Sequence, residues 1–523
     1  MAFSPVHLKR AASAAVLVLL FAGNTFADDL LVERGRYLSV AADCGSCHMD
    51  EAGKAMSGGA ALKTPFGKIY PSNVTQDTQT GIGGWTEREF TRAVRDGVRR
   101  DGARLYPGIP YDHYTRMTDD DVHALWEYFR SLPATRCTVP ANTLAFPFNV
   151  RAGLAVWQSA YFKPGRFEAT AGKDASWNRG AYLVDALGHC GACHTPKNAA
   201  QASEEAHRLT GAQVEGWYAP DISSDALSTL QSQSVAELER FLKTGEGHNA
   251  KTFGPMQQVV HDSLQHLDDA DIHAMAVYLK DQPANVQPQT AVKPVDLSAQ
   301  LAAGKLLFED HCASCHQRNG EGIKGAVPAL AGNSAVTARE PFNVVMAMLE
   351  GFAPQGSWGA MASFGNTLSD RQIADVANYV RNAWGNHGEH PASPWSVSSL
   401  RPAADNPADG TRAALVCPIL PASVMQPALK EGAAALKRAA SDTGQMQQVV
   451  RHYLAARPQA SKVEVIEALS AAYCRAQASD TASLAMTGVR MAEFSQEVAI
   501  SMVTAPTGPK PARLKPAPAS AAH

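Results

Sequence analysis

The sequence predicts an all-α protein: three small helical domains in tandem, followed by a separate helical C-terminal region. Three observations carry this. A five-residue pattern recurs as CGSCH (Cys44 to His48), CGACH (Cys190 to His194) and CASCH (Cys312 to His316). The same succession of helical segments surrounds each copy. Proline-bearing linkers separate the copies, including QPANVQPQTAVKPV before the third.

The N-terminus comes first. Lys9 and Arg10 flank the apolar run AASAAVLVLLFAG, and Thr25 and Ala27 are small residues spaced for cleavage after Ala27. Residues 1–27 therefore read as a secretory signal, with the run too short to span a bilayer comfortably. The 523-residue chain is long enough for several domains, and its net charge of −3 gives no polybasic signal for nucleic acid. Nine cysteines in an exported chain would ordinarily suggest disulfides, but six belong to the repeated pattern.

The first domain, 28–135, opens with a helix in VERGRYLSVAADC, and its counterparts are WNRGAYLVDALGHC and LAAGKLLFEDHC. Gly35, Gly180 and Gly304 share one position, where glycine fits close packing against another helix. A loop and an amphipathic helix follow each anchor: EREFTRAVRDGV, VAELERFLKTG and EPFNVVMAMLEG. The last helices begin at the N-cap residues Thr118, Asp268 and Ser369, with Asp121, Asp271 and Gln372 three residues on. Ser369 and Gln372 form a capping box, and the other two pairs are acidic variants of it. A linker (136–172) leads to the second domain (173–285), and a Pro-rich hinge (286–296) to the third (297–388). A connector (389–412), a helical region (413–503) and a Pro/Ala/Lys-rich disordered tail (504–523) complete the chain. Cys417 and Cys474 are expected to pair as a disulfide, leaving Cys137 as a buried thiol. LAMTGVRMAEFSQEVAISMV is amphipathic enough to lie at a surface or to pack internally, and the internal reading is favoured.

C-x-x-C-H is the pattern of c-type haem attachment. Residues i and i+3 share a helix face, so two thiols meet the two vinyl groups of one porphyrin and the adjacent histidine reaches the iron. A zinc site would need about four ligands, and no second cysteine pair follows. The haem-binding residues are Cys44, Cys47, His48, Cys190, Cys193, His194, Cys312, Cys315 and His316. Three covalently attached haem c groups are expected, in three tandem class I cytochrome c domains. Pro328 and Pro220 are placed to offer a backbone carbonyl to the third and second histidines, whereas YPSNV shifts the proline by one and leaves the first without a named partner.

The opposite face of each iron calls for methionine. Met361 in WGAMASFG and Met256 in FGPMQQVV sit in glycine- or proline-bearing loops at corresponding places. Counting back in the first domain lands on Ile109, which cannot bind iron. Met117 precedes the Thr118 cap where the other copies have Leu267 and Leu368, which also fits a hydrophobic staple. Met117, His113 and an open site are the candidates there.

The order of RGRYLSVAADCGSCH, TGIGGWTEREFTRAVRDGV, LYPGIPYDHYTRMTDDDVHALWEYF, FPFNVR, RGAYLVDALGHCGACHTP, GPM and ANYVRNAWGN resembles the tri-haem cytochrome c subunits of bacterial membrane-bound dehydrogenases, over residues from about 28 to 390. In that family the first domain often reads YPAMPY or YPAFPY, the second form commonly with a methionine before the TDxD run. The resemblance therefore supports Met117, while the internal repeat opposes it. It implies an electron-transfer subunit in the periplasm, associated peripherally with the outer face of the cytoplasmic membrane. Its partners would be a large catalytic subunit of flavin, quinoprotein or molybdenum type and ubiquinone or a terminal oxidase as acceptor. Two rival readings are a cytochrome donating directly to an oxidase and a catalytic multi-haem enzyme such as a peroxidase. The chain shows no substrate site of its own.

Overall fold

Glycine sets how the first and last helices cross in each repeated segment. In the computed structural model, α1 (29–41) meets α5 (Asp119–Ser131) at Gly35, where a Cβ would lie 1.9 Å from the Ala124 carbonyl oxygen. Gly180 of α7 (Ala175–Tyr182) stands 1.9 Å from the Ala274 oxygen of α11 (Asp269–Lys280) by the same measure. Gly304 of α12 (Ser298–His311) stands 2.0 Å from the Asp375 oxygen of α16 (Asp370–Asn382). No side chain fits at any of the three.

The structure describes residues 29–478 apart from 51–53, 65, 224–229, 231–232, 248–250, 283–294, 355–357, 402–421, 441 and 461, together with 494, 498 and 501. Cys417, the side chain of Cys474, and hence the expected disulfide, lie outside the described residues, as do the signal segment and the tail.

The intervening helices are α3 (Glu87–Asp96), α9 (Val235–Thr244) and α15 (Phe342–Glu350). Thr86 with Glu89 and Ser234 with Glu237 form full capping boxes on α3 and α9. Gly97 and Gly245 close these helices in the left-handed conformation, at φ 61° and 73°.

The chain is not purely helical. Strands β1 (Leu62–Thr64), β2 (Gly67–Ile69) and β3 (Thr143–Leu144) form a small antiparallel sheet, and β4 (Ala212–Val214) pairs with β5 (Trp217–Ala219). The β4–β5 turn is Glu215-Gly216 with φ 50° and 89°, the positive-φ pair that a two-residue hairpin requires. The expected linker also carries β3 and a helix, α6 (Gly153–Tyr161).

The chain divides into two compact units, Met1–Lys293 and Pro294–His523. In the first, one hydrophobic core runs through both repeated segments, from Leu38, Leu125 and Phe129 to Leu183, Leu238 and Met275. In the second, Arg381 is wholly buried and donates to the carbonyls of Val336, Ala338, Arg339, Glu340 and His390 at 2.8–3.2 Å. It rivets the chain around α16. The C-terminal helices α18 (Ala422–Leu429), α19 (Ala433–Ala439), α20 (Thr443–Ala456) and α21 (Lys462–Ala478) share a core of their own. Phe494 and Val498 are buried in that core, so this part of the amphipathic stretch packs internally. Cys137 is half-buried rather than buried, because it follows the end of α5 in an extended stretch.

Candidate haem sites

Each anchor is a single helical turn. They are α2 (Cys44–His48), α8 (Gly191–His194) with Cys190 as its cap, and α13 (Ala313–His316) capped by Cys312. In each, the histidine Nδ1 faces a backbone carbonyl from the following loop: Ser72 for His48 at 2.7 Å, Pro220 for His194 at 2.8 Å, and Pro328 for His316 at 3.1 Å. A carbonyl only accepts, so Nδ1 carries the proton and Nε2 keeps its lone pair. Ser72 was hidden in the sequence because the loop register differs by one residue from the proline pattern.

Electrostatics point the same way. Burial, partly opposed by the carbonyl bond, pushes His48 and His194 below the usual histidine range and His316 down to about 4. Burial lifts the thiols of Cys44, Cys47, Cys190 and Cys312 to about 12. All six anchor cysteines are free, and among the described residues no three His, Cys, Asp or Glu side chains converge to hold a metal ion. Two neutral thiols and one neutral imidazole with a free Nε2 fit a porphyrin that arrives with its own iron.

The distal candidates are placed as follows. Met361 bridges to Phe352 through both backbone groups, 2.8 and 2.9 Å. Met256 lies in the first turn of α10 (Gly254–Asp262) rather than in a loop, because Pro255 next to Gly254 pre-sets a helix start. The bridges Val98 to Arg104 and Glu246 to Lys251 fix the register between the first two segments, and Ile109 and Met256 each fall five residues beyond (109 from 104, 256 from 251). Ile109 therefore occupies the place of Met256.

Met117 is 1 % exposed. Its carbonyl accepts from Arg95 Nη2 at 2.7 Å, and Arg95 also binds Asp119 at 2.5 Å. Lys243 makes the corresponding pair of contacts with Leu267 and Asp269, and Arg401 does so with Leu368 and Asp370. Met117 is thus structurally equivalent to two leucines. It nevertheless lies close to its anchor: its amide bonds to Tyr114 O, and Tyr114 Oη donates to Ala42 O at 2.6 Å, two residues before Cys44. His113, in α4 (Tyr111–Tyr114), is turned to the other segment. Its Nδ1 donates to Asp185 O at 3.1 Å, and its Cε1 would lie 2.9 Å from a Cβ on Gly191.

The first two segments clasp each other reciprocally. Tyr37 donates to Asp271 at 2.7 Å and accepts from the Asp268 amide at 3.1 Å. Tyr182 donates to Asp121 at 2.5 Å and accepts from the Thr118 amide at 3.2 Å. Arg34 and Arg179 hold the same two carboxylates from their own segments. A capping box would use a glutamate or glutamine to reach the cap's own amide. Aspartate is too short, so the tyrosine of the other segment bridges the gap. Thr118 still caps its helix by accepting from the Asp121 amide, whereas Asp268 makes no side-chain cap bond, contrary to the sequence reading. In the third segment Gln372 closes its own box, and Leu306, at the tyrosine position, is 65 % exposed. Burial would raise Asp271, but Arg179 and Tyr37 outweigh it and hold the carboxyl below 3.8.

Comparison with known proteins agrees with this geometry. Residues 301–384 match the family model for cytochrome c. The chain is 38% identical to the fructose dehydrogenase cytochrome subunit of Gluconobacter japonicus, over 68% of this chain and 79% of that protein. It is 36% identical to the gluconate 2-dehydrogenase cytochrome c subunit of Pantoea cypripedii, over 72% and 90%. It is 34% identical to the cytochrome c subunit of the quinone-dependent alcohol dehydrogenase of Gluconobacter oxydans (strain 621H), over 72% and 83%. Anchors of this chemistry and relatives of this coverage lead to one family: the chain belongs to the dehydrogenase cytochrome c subunits, which carry covalently bound haem c.

Proposed function

We propose that this chain is a tri-haem electron-transfer subunit, built from three tandem cytochrome c domains. It takes electrons from a catalytic dehydrogenase subunit and passes them to ubiquinone or a terminal oxidase, at the periplasmic face of the cytoplasmic membrane. The observation that carries the reading is the threefold recurrence of one constellation: a C-x-x-C-H turn, a histidine fixed through Nδ1, and a glycine-mediated crossing of the flanking helices. The named relatives are cytochrome subunits of dehydrogenases, which supports a dehydrogenase as electron donor. No described helix is long and apolar enough to cross a membrane; the attachment proposed is peripheral.

Each bound haem supplies one-electron redox chemistry. The protein's part is to hold and tune. Cys44 and Cys47, Cys190 and Cys193, and Cys312 and Cys315 make the thioether links. His48, His194 and His316 are fixed by their carbonyl partners in the tautomer that presents Nε2. Met256, Met361 and Met117 would supply the thioether ligands, since sulfur favours the reduced state of iron and raises its potential.

Haem content tests the count. The mature chain should give three haems per polypeptide by alkaline pyridine spectroscopy; one or two would reduce the proposal to fewer working anchors. Met117→Leu tests the first distal ligand. It should remove the Met-to-iron absorption of one haem in three and lower that haem's potential. Full retention of the signal would make Met117 core packing, like Leu267 and Leu368.

A further inference from the structure

The FPFNVR stretch and the helix that follows it are not used by any haem anchor, yet exposed large hydrophobic residues cluster there. Phe146, Phe148, Val150, Val156 and Tyr161 are 81, 42, 48, 73 and 44 % exposed. They make up five of the ten strongly exposed large hydrophobic residues described, within sixteen positions. Helix α6 turns Leu154, Trp157 and Gln158 inward and leaves Val156 and Tyr161 exposed. Its polar residue Gln158 is buried, accepting from Arg104 at 2.6 Å and donating to Asp96 O at 3.2 Å, while Val156 points out. Trp157 pins the helix by donating from Nε1 to Ala200 O at 2.7 Å. The informative feature is the cluster: Val156 and Tyr161 extend the exposed apolar run of Phe146, Phe148 and Val150.

Charge selects the occupant. Residues 146–166 hold Arg151, Lys163 and Arg166 and no acidic residue, in a chain whose net charge is −3; Arg166 lies 3.6 Å from Asp119, which leaves Arg151 and Lys163 as the cations facing outward. Lys68, on the strand that pairs with β3, is also exposed. Arg151 is held in place over the Tyr106 ring, 4.7 Å from its centroid, and donates to Arg104 O at 2.7 Å. Exposed Phe and Tyr side chains bordered by cations match the boundary of an anionic bilayer, where aromatic rings sit at headgroup depth and Lys and Arg meet phosphate. A protein partner would have to bring acidic side chains to Arg151, Lys163 and the neighbouring Lys68; an anionic lipid headgroup layer supplies that charge along the whole face.

We propose that residues 146–166 are the surface through which this chain rests on an anionic phospholipid membrane. The proposal builds on the reading that the subunit works peripherally at the membrane, and it names the face.

The test is co-sedimentation of the full-length mature holoprotein with vesicles of phosphatidylcholine alone and of phosphatidylcholine with phosphatidylglycerol. Wild type should pellet with the anionic vesicles, and less so as salt rises. Phe146→Ser combined with Val156→Gln should weaken binding at least tenfold, with haem absorbance unchanged. Leu306→Ser, which removes an exposed apolar side chain elsewhere, should bind as wild type does. If the double variant binds like wild type, this face is not the contact, although membrane association stands. If wild type binds neither vesicle, peripheral lipid association itself fails. If, in addition, the double variant loses a co-purifying dehydrogenase subunit, the face belongs to that protein partner and the lipid proposal is overturned.

Discussion

Gly304→Ala should leave the third segment unable to close on its haem. The new Cβ would lie 2.0 Å from the Asp375 oxygen and 2.9 Å from Tyr379 Cβ. The first of these is backbone inside α16, so no rotamer change relieves it, and α12 and α16 must separate. Overpacking of a core costs about 1–3 kcal/mol where side chains can yield; a backbone clash belongs at or above the top of that range, about 3 kcal/mol or more. The expected result is loss of about one third of the haem per chain and a lowered unfolding transition in the unit that holds α12 and α16. Gly35→Ala and Gly180→Ala should act alike on their own segments, against the oxygens of Ala124 and Ala274. Gly45→Ala is the control. A Cβ there meets nothing within 4 Å, and the change makes the first anchor read CASCH, as the third does. Equal haem content in Gly304→Ala and Gly45→Ala would refute the close-crossing argument.

Tyr37→Phe with Tyr182→Phe should uncouple the first two segments. Each phenol makes two hydrogen bonds across the interface, so the double variant loses four. At about 1 kcal/mol each, less what Arg34 and Arg179 retain on the carboxylates, the loss is about 2–4 kcal/mol. It should appear as a lower denaturant midpoint and faster proteolysis between residues 136 and 172. The single variants should differ spectroscopically. Tyr182 holds the Thr118 amide, next to Met117, whereas Tyr37 holds the Asp268 amide, next to Leu267. Tyr182→Phe should therefore disturb the Met-to-iron absorption of the first haem, and Tyr37→Phe should leave that of the second in place. Acid should loosen the same clasp. Asp271 has its folded pKa lowered, so its contribution is complete above the unfolded value and is lost as pH falls through the folded one.

Much of this was legible in the sequence because it repeats at fixed offsets. The anchors, the three crossing glycines, the Ser369–Gln372 box and the carbonyls of Pro220 and Pro328 all follow from local spacing. What escaped depends on contacts far apart in the chain. Tyr37 and Asp271 are 234 residues apart, and nothing local marks a tyrosine as completing another segment's cap. Ser72 was missed because a one-residue register change moved the proline off the histidine. The β4–β5 hairpin has no strong sequence mark, because its turn places Glu215 rather than Asn or Asp at positive φ before Gly216. In α6 the usual expectation held only in part, because Leu154 and Trp157 are half-buried as expected while Gln158 is buried and Val156 exposed.

The central claim is that this chain serves a dehydrogenase as its electron-transfer subunit. Purification from native membranes under mild detergent tests it most directly. A large catalytic subunit should appear in constant ratio to the cytochrome, and the cytochrome's haems should be reduced when that subunit's substrate is added. A tri-haem protein that purifies alone, and whose haems no co-purifying dehydrogenase reduces, would contradict it.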